Sequence, residues 1–292
     1  ELVDINNMRT KHKKLTFTKM RGTGNDYLYF DCFDQTVESP ESLAVRLSNR
    51  RTGVGSDGIV LIMPSTIADA KMRMFNADGT EGSVAGNALR CVCKYLYENG
   101  HVRKAEMAVE TGSGVKTAKL FIREDQVFSV LVDMGCPAFA PAKIPVKLDG
   151  DRVMMRPVFL AGEKREISCV SMGNPHVVIF VEDVNRIPLE QVGPQIETDS
   201  LFPERVNVSF AQIVDKNDIV MRVWERGIGE TAACGTGACA VAVAAVENGF
   251  CTRGADIDVR LPGGTLVVRY QEDGKVWLTG DANTDFTGTI EI

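Results

Sequence analysis

The feature that most constrains this chain is that it matches itself. Slid along its own length by 149 positions, the 292-residue sequence brings three blocks into register in the same order. TGNDYLYF (23–30) lies over MGNPHVVI (172–179), pairing Gly24 and Asn25 with Gly173 and Asn174. MRMFNADGTE (72–81) lies over MRVWERGIGE (221–230), pairing Met72, Arg73 and Glu81 with Met221, Arg222 and Glu230. AGNALRCVCKYLYENG (85–100) lies over CGTGACAVAVAAVENG (234–249), and both end in Glu-Asn-Gly. Chance supplies one such block. Three at one spacing indicate duplication, which decides the architecture before any local reading does.

The repeat divides the chain into an N-terminal unit, residues 15–135, and a C-terminal unit, residues 136–292, with the last strand expected to cross back to the first unit. MGCPAFAPAKIP (134–145) has the Pro and Gly density of a connection. Residues 1–14 are set aside as an arm or tail. The chain begins at Glu1, Met8 is a candidate natural start, residues 1–7 read as an appended tail, and RTKHKK (9–14) reads as a solvated arm. Short runs rich in β-branched and aromatic residues predict strands at TFTKM, IVLIM, KMRMF, VFSVLVDM, CVSM, HVVIFV, IVMRVWE and TLVVRY. Leu89, Val92, Cys93 and Leu96 recur at helical spacing, and the matching run ACAVAVAAV is apolar all round, so it predicts a helix buried on every side. Gly100 and Gly249 follow the last turns, where a left-handed residue is wanted. The fold class expected is α+β: two pseudo-symmetric domains, each a curved mixed or antiparallel sheet around a central helix, with the active site between them.

Composition narrows the function. Hydrophobic content of 44% and charged content of 25% suit a soluble globular protein, and a net charge of −6 offers no basic face for nucleic acid. No apolar run approaches the roughly 18 residues that argue for a membrane span, and no secretory leader is visible, so a cytoplasmic protein is expected. Cysteines at 32, 91, 93, 136, 169, 234, 239 and 251 are scattered without a CxxC pair. That pattern predicts reduced thiols rather than a disulfide framework or a zinc site.

Two small-residue turns, GNA (86–88) and GTG (235–237), immediately precede the helical runs. Small residues there let a ligand reach backbone N–H groups that lack intrahelical partners, and the helix dipole adds positive potential. A carboxylate or phosphate is the expected guest, held by two facing helix starts. Cys234 stands at the head of the second, where the dipole and nearby donors are expected to lower its pKa from the free value of about 8.5. Such a thiolate serves as nucleophile or base. Cys91, Cys93, Cys239 and Cys251 fall inside or after the helices and read as structural. Glu225 and Arg226 follow an apolar strand and are placed to project into a cleft, whereas Glu230 reads as a solvated loop residue. His176 precedes an apolar strand within a repeated block. Asn25, Asn76, Asn174 and Asn207 at strand or turn edges are either turn residues or amides suited to a zwitterionic amino acid.

FTKMRGTGNDY, RRTGVGSDG, NADGTE…GNALRC, SMGNPH, ERVNVSF and ERGIGETAACGTGACA together resemble the successive blocks of diaminopimelate epimerases, from about Phe17 to the C-terminus. The resemblance implies a cofactor-independent epimerase converting L,L-diaminopimelate to meso-diaminopimelate, a lysine and peptidoglycan precursor, in a homodimer. The reacting Cα lies between two cysteines: one thiolate removes the proton while the opposite thiol returns one to the other face. By this resemblance Cys234 is the second catalytic cysteine, Glu225 its acidic partner, and His176 the partner on the opposite side. Backbone amides at Gly86, Asn87, Gly235 and Thr236 bind the reacting carboxylate, and Arg226 grips the distal one. Asn25, Asn76, Asn174 and Asn207 bind the remaining amino and carboxylate groups.

Two departures stand out. Arg21 replaces the family's usual His. The first catalytic cysteine falls at Ala85, and the repeat gives the same answer alone, since positions 85 and 234 differ by 149. At about 1.5 Å per residue Cys91 stands about 9 Å along the helix from position 85, a poor substitute. The chain as written is expected to bind substrate without turning it over. An introduced Cys→Ala change is the simplest account of an otherwise intact site. A racemase for another amino acid and a natural one-thiol or binding homologue remain open.

Overall fold

Alternation of apolar and polar residues drives most of the chain into strands, and the two apolar helical runs are the exceptions around which they wrap. The structure, a computed structural model, describes residues 13–82 and 86–292. Its first half contains β1 (Lys14–Gly22), β2 (Asn25–Asp31), α1 (Pro40–Ser48), β3 (Gly58–Met63), β4 (Ala70–Asn76), β5 (Glu81–Gly82), α2 (Gly86–Glu98), β6 (Glu106–Thr111), β7 (Gly114–Arg123) and β8 (Gln126–Asp133). Its second half contains β9 (Arg156–Leu160), β10 (Glu163–Ser171), β11 (Pro175–Phe180), α3 (Leu189–Glu197), β12 (Asn207–Asp215), β13 (Asp218–Glu225), β14 (Gly229–Thr231), α4 (Gly235–Glu247), β15 (Asp256–Leu261), β16 (Gly264–Tyr270), β17 (Val276–Gly280) and β18 (Asn283–Glu291).

Strand pairing repeats with the sequence. β1 lies antiparallel to β2, β2 parallel to β3, β3 antiparallel to β4, and β4 parallel to β6, which continues through antiparallel β7 and β8. The same order of orientations runs through β10, β11, β12, β13, β15, β16 and β17. The two series meet where β17 pairs antiparallel with β8, Leu278 opposite Val132. β18 then returns to pair antiparallel with β1.

Each series curls around one helix. Leu89, Val92, Cys93 and Leu96 of α2 are buried in one apolar cluster with β2, β4, β7 and β8. In α4 every residue from Gly237 to Ala245 is buried, so the helix is wrapped on all sides. Its alanines let the surrounding strands approach closely, and each larger side chain fully buried beside them contributes about 1.5–3 kcal/mol. Repeated glycines have a repeated backbone reason: Gly24 and Gly173 both adopt positive φ, 87° and 92°, in the turns that open β2 and β11. Arg73 forms a two-bond ion pair with Glu81, and Arg222 forms the same pair with Glu230. Glu230 is therefore a structural partner rather than a free loop charge.

The sequence reading missed α1 and α3, expecting one helix per half. Both are nine residues long; α1 opens on a proline and α3 contains Pro194, so neither shows a sustained periodic stripe. The arm also ends earlier than expected. Lys14 pairs with Glu291 at the start of β1, and Lys13 just before it donates its N–H to the Ile292 carbonyl at 3.1 Å. The rest of the proposed arm, residues 1–12, lies outside the described residues.

Candidate active site

The two helix starts come together over β17. A Cβ built on Gly86 would stand 3.6 Å from Leu278 Cδ2, and one on Gly235 would stand 3.2 Å from the same atom. The Gly235 position is also 3.9 Å from Asn87 Oδ1, ordinary contact distance, so the two turns lie side by side, and a side chain at Gly235 would be tight against Leu278. Ala85, the position matching Cys234, lies outside the described residues.

Cys234 is the N-cap of α4, in extended backbone, with Sγ accepting from the Gly237 N–H at 3.4 Å. The Thr236 hydroxyl oxygen lies 3.6 Å from the same sulfur. The lowered pKa expected from the helix start is not what this environment produces. Burial pushes the thiol up to about 12, the negative Glu225 beside it adds to the rise, and the two donors only partly offset both. Cys234 therefore rests protonated. Glu225 ends β13, accepts from the Thr231 hydroxyl and bonds the Cys234 thiol; burial raises its carboxyl as well.

His176 on β11 is fully buried, and burial together with the nearby Arg226 charge lowers its pKa to about 3. It is neutral, with Nε2 2.9 Å from Asn174 Oδ1 and Nδ1 buried without a partner among the described residues. Asn174 Nδ2 donates to Thr236 Oγ1 at 3.2 Å, which links His176 to Cys234. In the neighbouring parallel strand, opposite His176, Asn207 donates to the Pro175 carbonyl and accepts the Arg226 N–H at 2.9 Å. The Arg226 guanidinium donates to the Glu204 carbonyl at 2.9 Å.

In the first half Asn87 Nδ2 donates to Asn25 Oδ1 at 2.6 Å, and Asn25 Nδ2 donates to Asp57 Oδ2 at 3.1 Å. Asn87 Oδ1 is left buried and without a partner among the described residues. Asn76 stands apart from this network and bonds locally to Thr80 Oγ1 at 2.9 Å. Arg21 donates to Asp285 at 2.8 Å, in a surface ion pair.

Three residues beside these groups escaped the sequence reading. Tyr27 of β2 is buried within the field of Glu225 from the opposite half, and burial pushes its hydroxyl upward. Asp57 anchors Asn25. Arg90, one turn into α2, is fully buried and donates to the Asp281 carbonyl at 3.0 Å and Thr23 Oγ1 at 2.8 Å. Tyr27 lies within the repeated TGNDY block, a usable signal, but an arginine inside an apolar helical stripe reads as solvent-facing. Among the described residues no three His, Cys, Asp or Glu side chains converge as a metal site.

Comparison with known proteins gives a consistent result. The family model for diaminopimelate epimerase matches residues 17–140 and 168–284. A diaminopimelate epimerase of Acetivibrio thermocellus is 48% identical over 279 residues, covering 95% of this chain and 99% of that protein. One of Desulfovibrio desulfuricans is 49% identical over 285 residues, covering 95% and 99%. Among solved structures, a phenazine biosynthesis protein of the PhzF family from Bacillus anthracis superposes with a TM-score of 0.70 at 18% identity, covering 96% of this chain and 100% of that one. That likeness concerns the α+β fold alone. Matched along nearly its whole described length, the chain belongs to the diaminopimelate epimerase family.

Proposed function

We propose that this chain binds diaminopimelate at the paired helix starts, in the site of a cofactor-independent epimerisation of the L,L to the meso form. The observation that carries the reading is the Cys234 thiol capping α4, with Glu225 bonded to it and the start of α2 alongside. Inversion at Cα needs a base on one face and an acid on the other. The base takes the α-proton and leaves the bonding pair on carbon; the thiol opposite delivers its proton to that pair. Cys234, resting protonated, is the acid. In the reverse direction its proton passes to the Glu225 carboxylate and the thiolate becomes the base.

The developing carbanion charge spreads into the α-carboxylate, where backbone N–H groups of Gly86, Asn87, Gly235 and Thr236 stabilise it. Arg226 takes the distal carboxylate, while Asn25, Asn76, Asn174 and Asn207 hold the remaining polar groups. His176 stays neutral and orients Asn174. Cys234, His176, Asn87 and Asn207 are all buried, so the units 15–135 and 136–292 part to admit substrate and close to exclude water. With Ala85 at the first cysteine position the second acid–base group is missing. The chain then binds substrate without inverting it. A cytoplasmic homodimer is the setting this reading carries.

Titration calorimetry of meso-diaminopimelate into the chain as it stands tests the reading. Saturable binding of one ligand per chain, with no change in the stereoisomer ratio of the recovered ligand, is expected. Absence of binding contradicts it.

A further inference from the structure

The side chains behind Cys234 form a directed chain of hydrogen bonds, and its direction follows from one buried atom. His176 is fully buried and its Nδ1 has no partner among the described residues. A proton there would be an orphaned buried N–H, rarer in folded proteins than an under-satisfied acceptor. The proton therefore sits on Nε2 and is donated to Asn174 Oδ1, 2.9 Å away. That fixes the amide, so the group facing Thr236 is Nδ2, which donates to Oγ1 at 3.2 Å. Thr236 Oγ1 has now accepted, and among the described residues its own proton has one acceptor within reach: Cys234 Sγ at 3.6 Å. The Gly237 N–H reaches the same sulfur at 3.4 Å.

Among the described residues the other half lacks this arrangement. Asn25 and Asn87 occupy the repeat positions of Asn174 and Thr236. There the residue-87 side chain is the donor, Asn87 Nδ2 to Asn25 Oδ1 at 2.6 Å, and what it leaves over is an acceptor, Oδ1. Of the two matched positions, 87 and 236, Thr236 is the one that carries a hydroxyl.

We infer that Thr236 is a positioning residue: its hydroxyl, oriented by Asn174 and through it by His176, donates to Cys234 Sγ and stabilises the thiolate inside a desolvated pocket. Two donors, Thr236 Oγ1 and the Gly237 N–H, thus oppose the Glu225 carboxylate, which favours the protonated thiol. This assignment deepens the acid–base role proposed for Cys234 and does not depend on which amino acid the site takes.

The test follows alkylation of Cys234 by iodoacetamide at pH 8–9 in the intact chain, resolved by peptide mass spectrometry, for the parent, Thr236→Val and Thr236→Ser. Amide hydrogen exchange across residues 231–238 is measured on the same samples. Loss of a hydrogen bond to a charged acceptor predicts about tenfold slower alkylation in Thr236→Val at unchanged exchange, with Thr236→Ser at the parent rate. Equal rates in all three proteins overturn the assignment. So does slowing in both variants, or faster exchange in Thr236→Val, either of which marks a packing role. If Thr236→Val does not fold, Thr236→Ala replaces it with the same expectation. Calorimetric binding of meso-diaminopimelate to the parent is read separately, so failure of the substrate reading is distinguishable from failure of this one.

Discussion

Cys234 and His176 lie at two ends of one hydrogen-bonded chain, and burial holds both in their neutral forms, the thiol protonated and the imidazole deprotonated. The position of Cys234 before a glycine turn was legible in the sequence; its protonation state was not. A helix start acts on a thiol locally, whereas desolvation depends on what the rest of the chain packs around it. The same cost makes His176 a pH-dependent load on stability. Its pKa is about 3 in the folded protein, against about 6.5 when unfolded. Above pH 6.5 neither state carries the proton and stability is full. Below it the unfolded chain gains a proton that the folded one refuses, at about 1.4 kcal/mol per pH unit down to about pH 3. In urea titrations at pH 6.5 and pH 5, the parent should lose about 1–2 kcal/mol more than His176→Gln. Equal losses contradict a neutral buried imidazole. On the proposed reading, in which Arg226 takes the distal carboxylate, Arg226→Ala should weaken diaminopimelate binding about 10- to 100-fold at nearly unchanged melting temperature, as expected for one charge-assisted pair. Unchanged affinity for diaminopimelate in calorimetry would move the reading to an amino acid without a distal carboxylate.

The helices show how far pattern reading reaches at the next scale. Both central helices follow from periodicity and from the repeat, because α2 keeps one apolar face and α4 is apolar throughout. Arg90 does not follow. Its charge is accommodated by a specific tertiary partner set, the Asp281 carbonyl and the Thr23 hydroxyl, and by a gap in β17 where Gly280 has no side chain. A Cβ on Gly280 would stand 2.6 Å from Arg90 Cζ. Gly280→Ala should therefore destabilise the protein by about 1–3 kcal/mol, the usual scale for overpacking. The penalty should shrink in an Arg90→Met background, since the two residues are in direct contact. Denaturant unfolding of the four proteins measures that coupling, and strict additivity would show that the helix and strand do not constrain each other here.

Across the whole molecule, duplication explains why two helix starts face one strand. The halves repeat the same order of parallel and antiparallel pairings, and the offset of 149 that aligns α2 with α4 becomes 150 at β6 and β15, from Glu106 to Asp256. That one-residue drift is why sliding the sequence finds the blocks before the helices end and loses them afterwards. The β8–β17 pairing that joins the series and the return of β18 to β1 are long-range contacts with no local signature, so they emerge only in the structure. Pseudo-symmetry also gives Ala85 its meaning: it stands 149 positions before Cys234, where the proposed two-thiol site wants its other acid–base group. Replacing Ala85 with cysteine and following deuterium incorporation at Cα of L,L-diaminopimelate in heavy water tests this most directly. The account predicts that epimerisation rises by about 10²- to 10⁴-fold over the chain as it stands, the usual contribution of a positioned acid–base group. A folded Ala85→Cys protein that binds diaminopimelate yet epimerises it no faster than its parent would contradict the account.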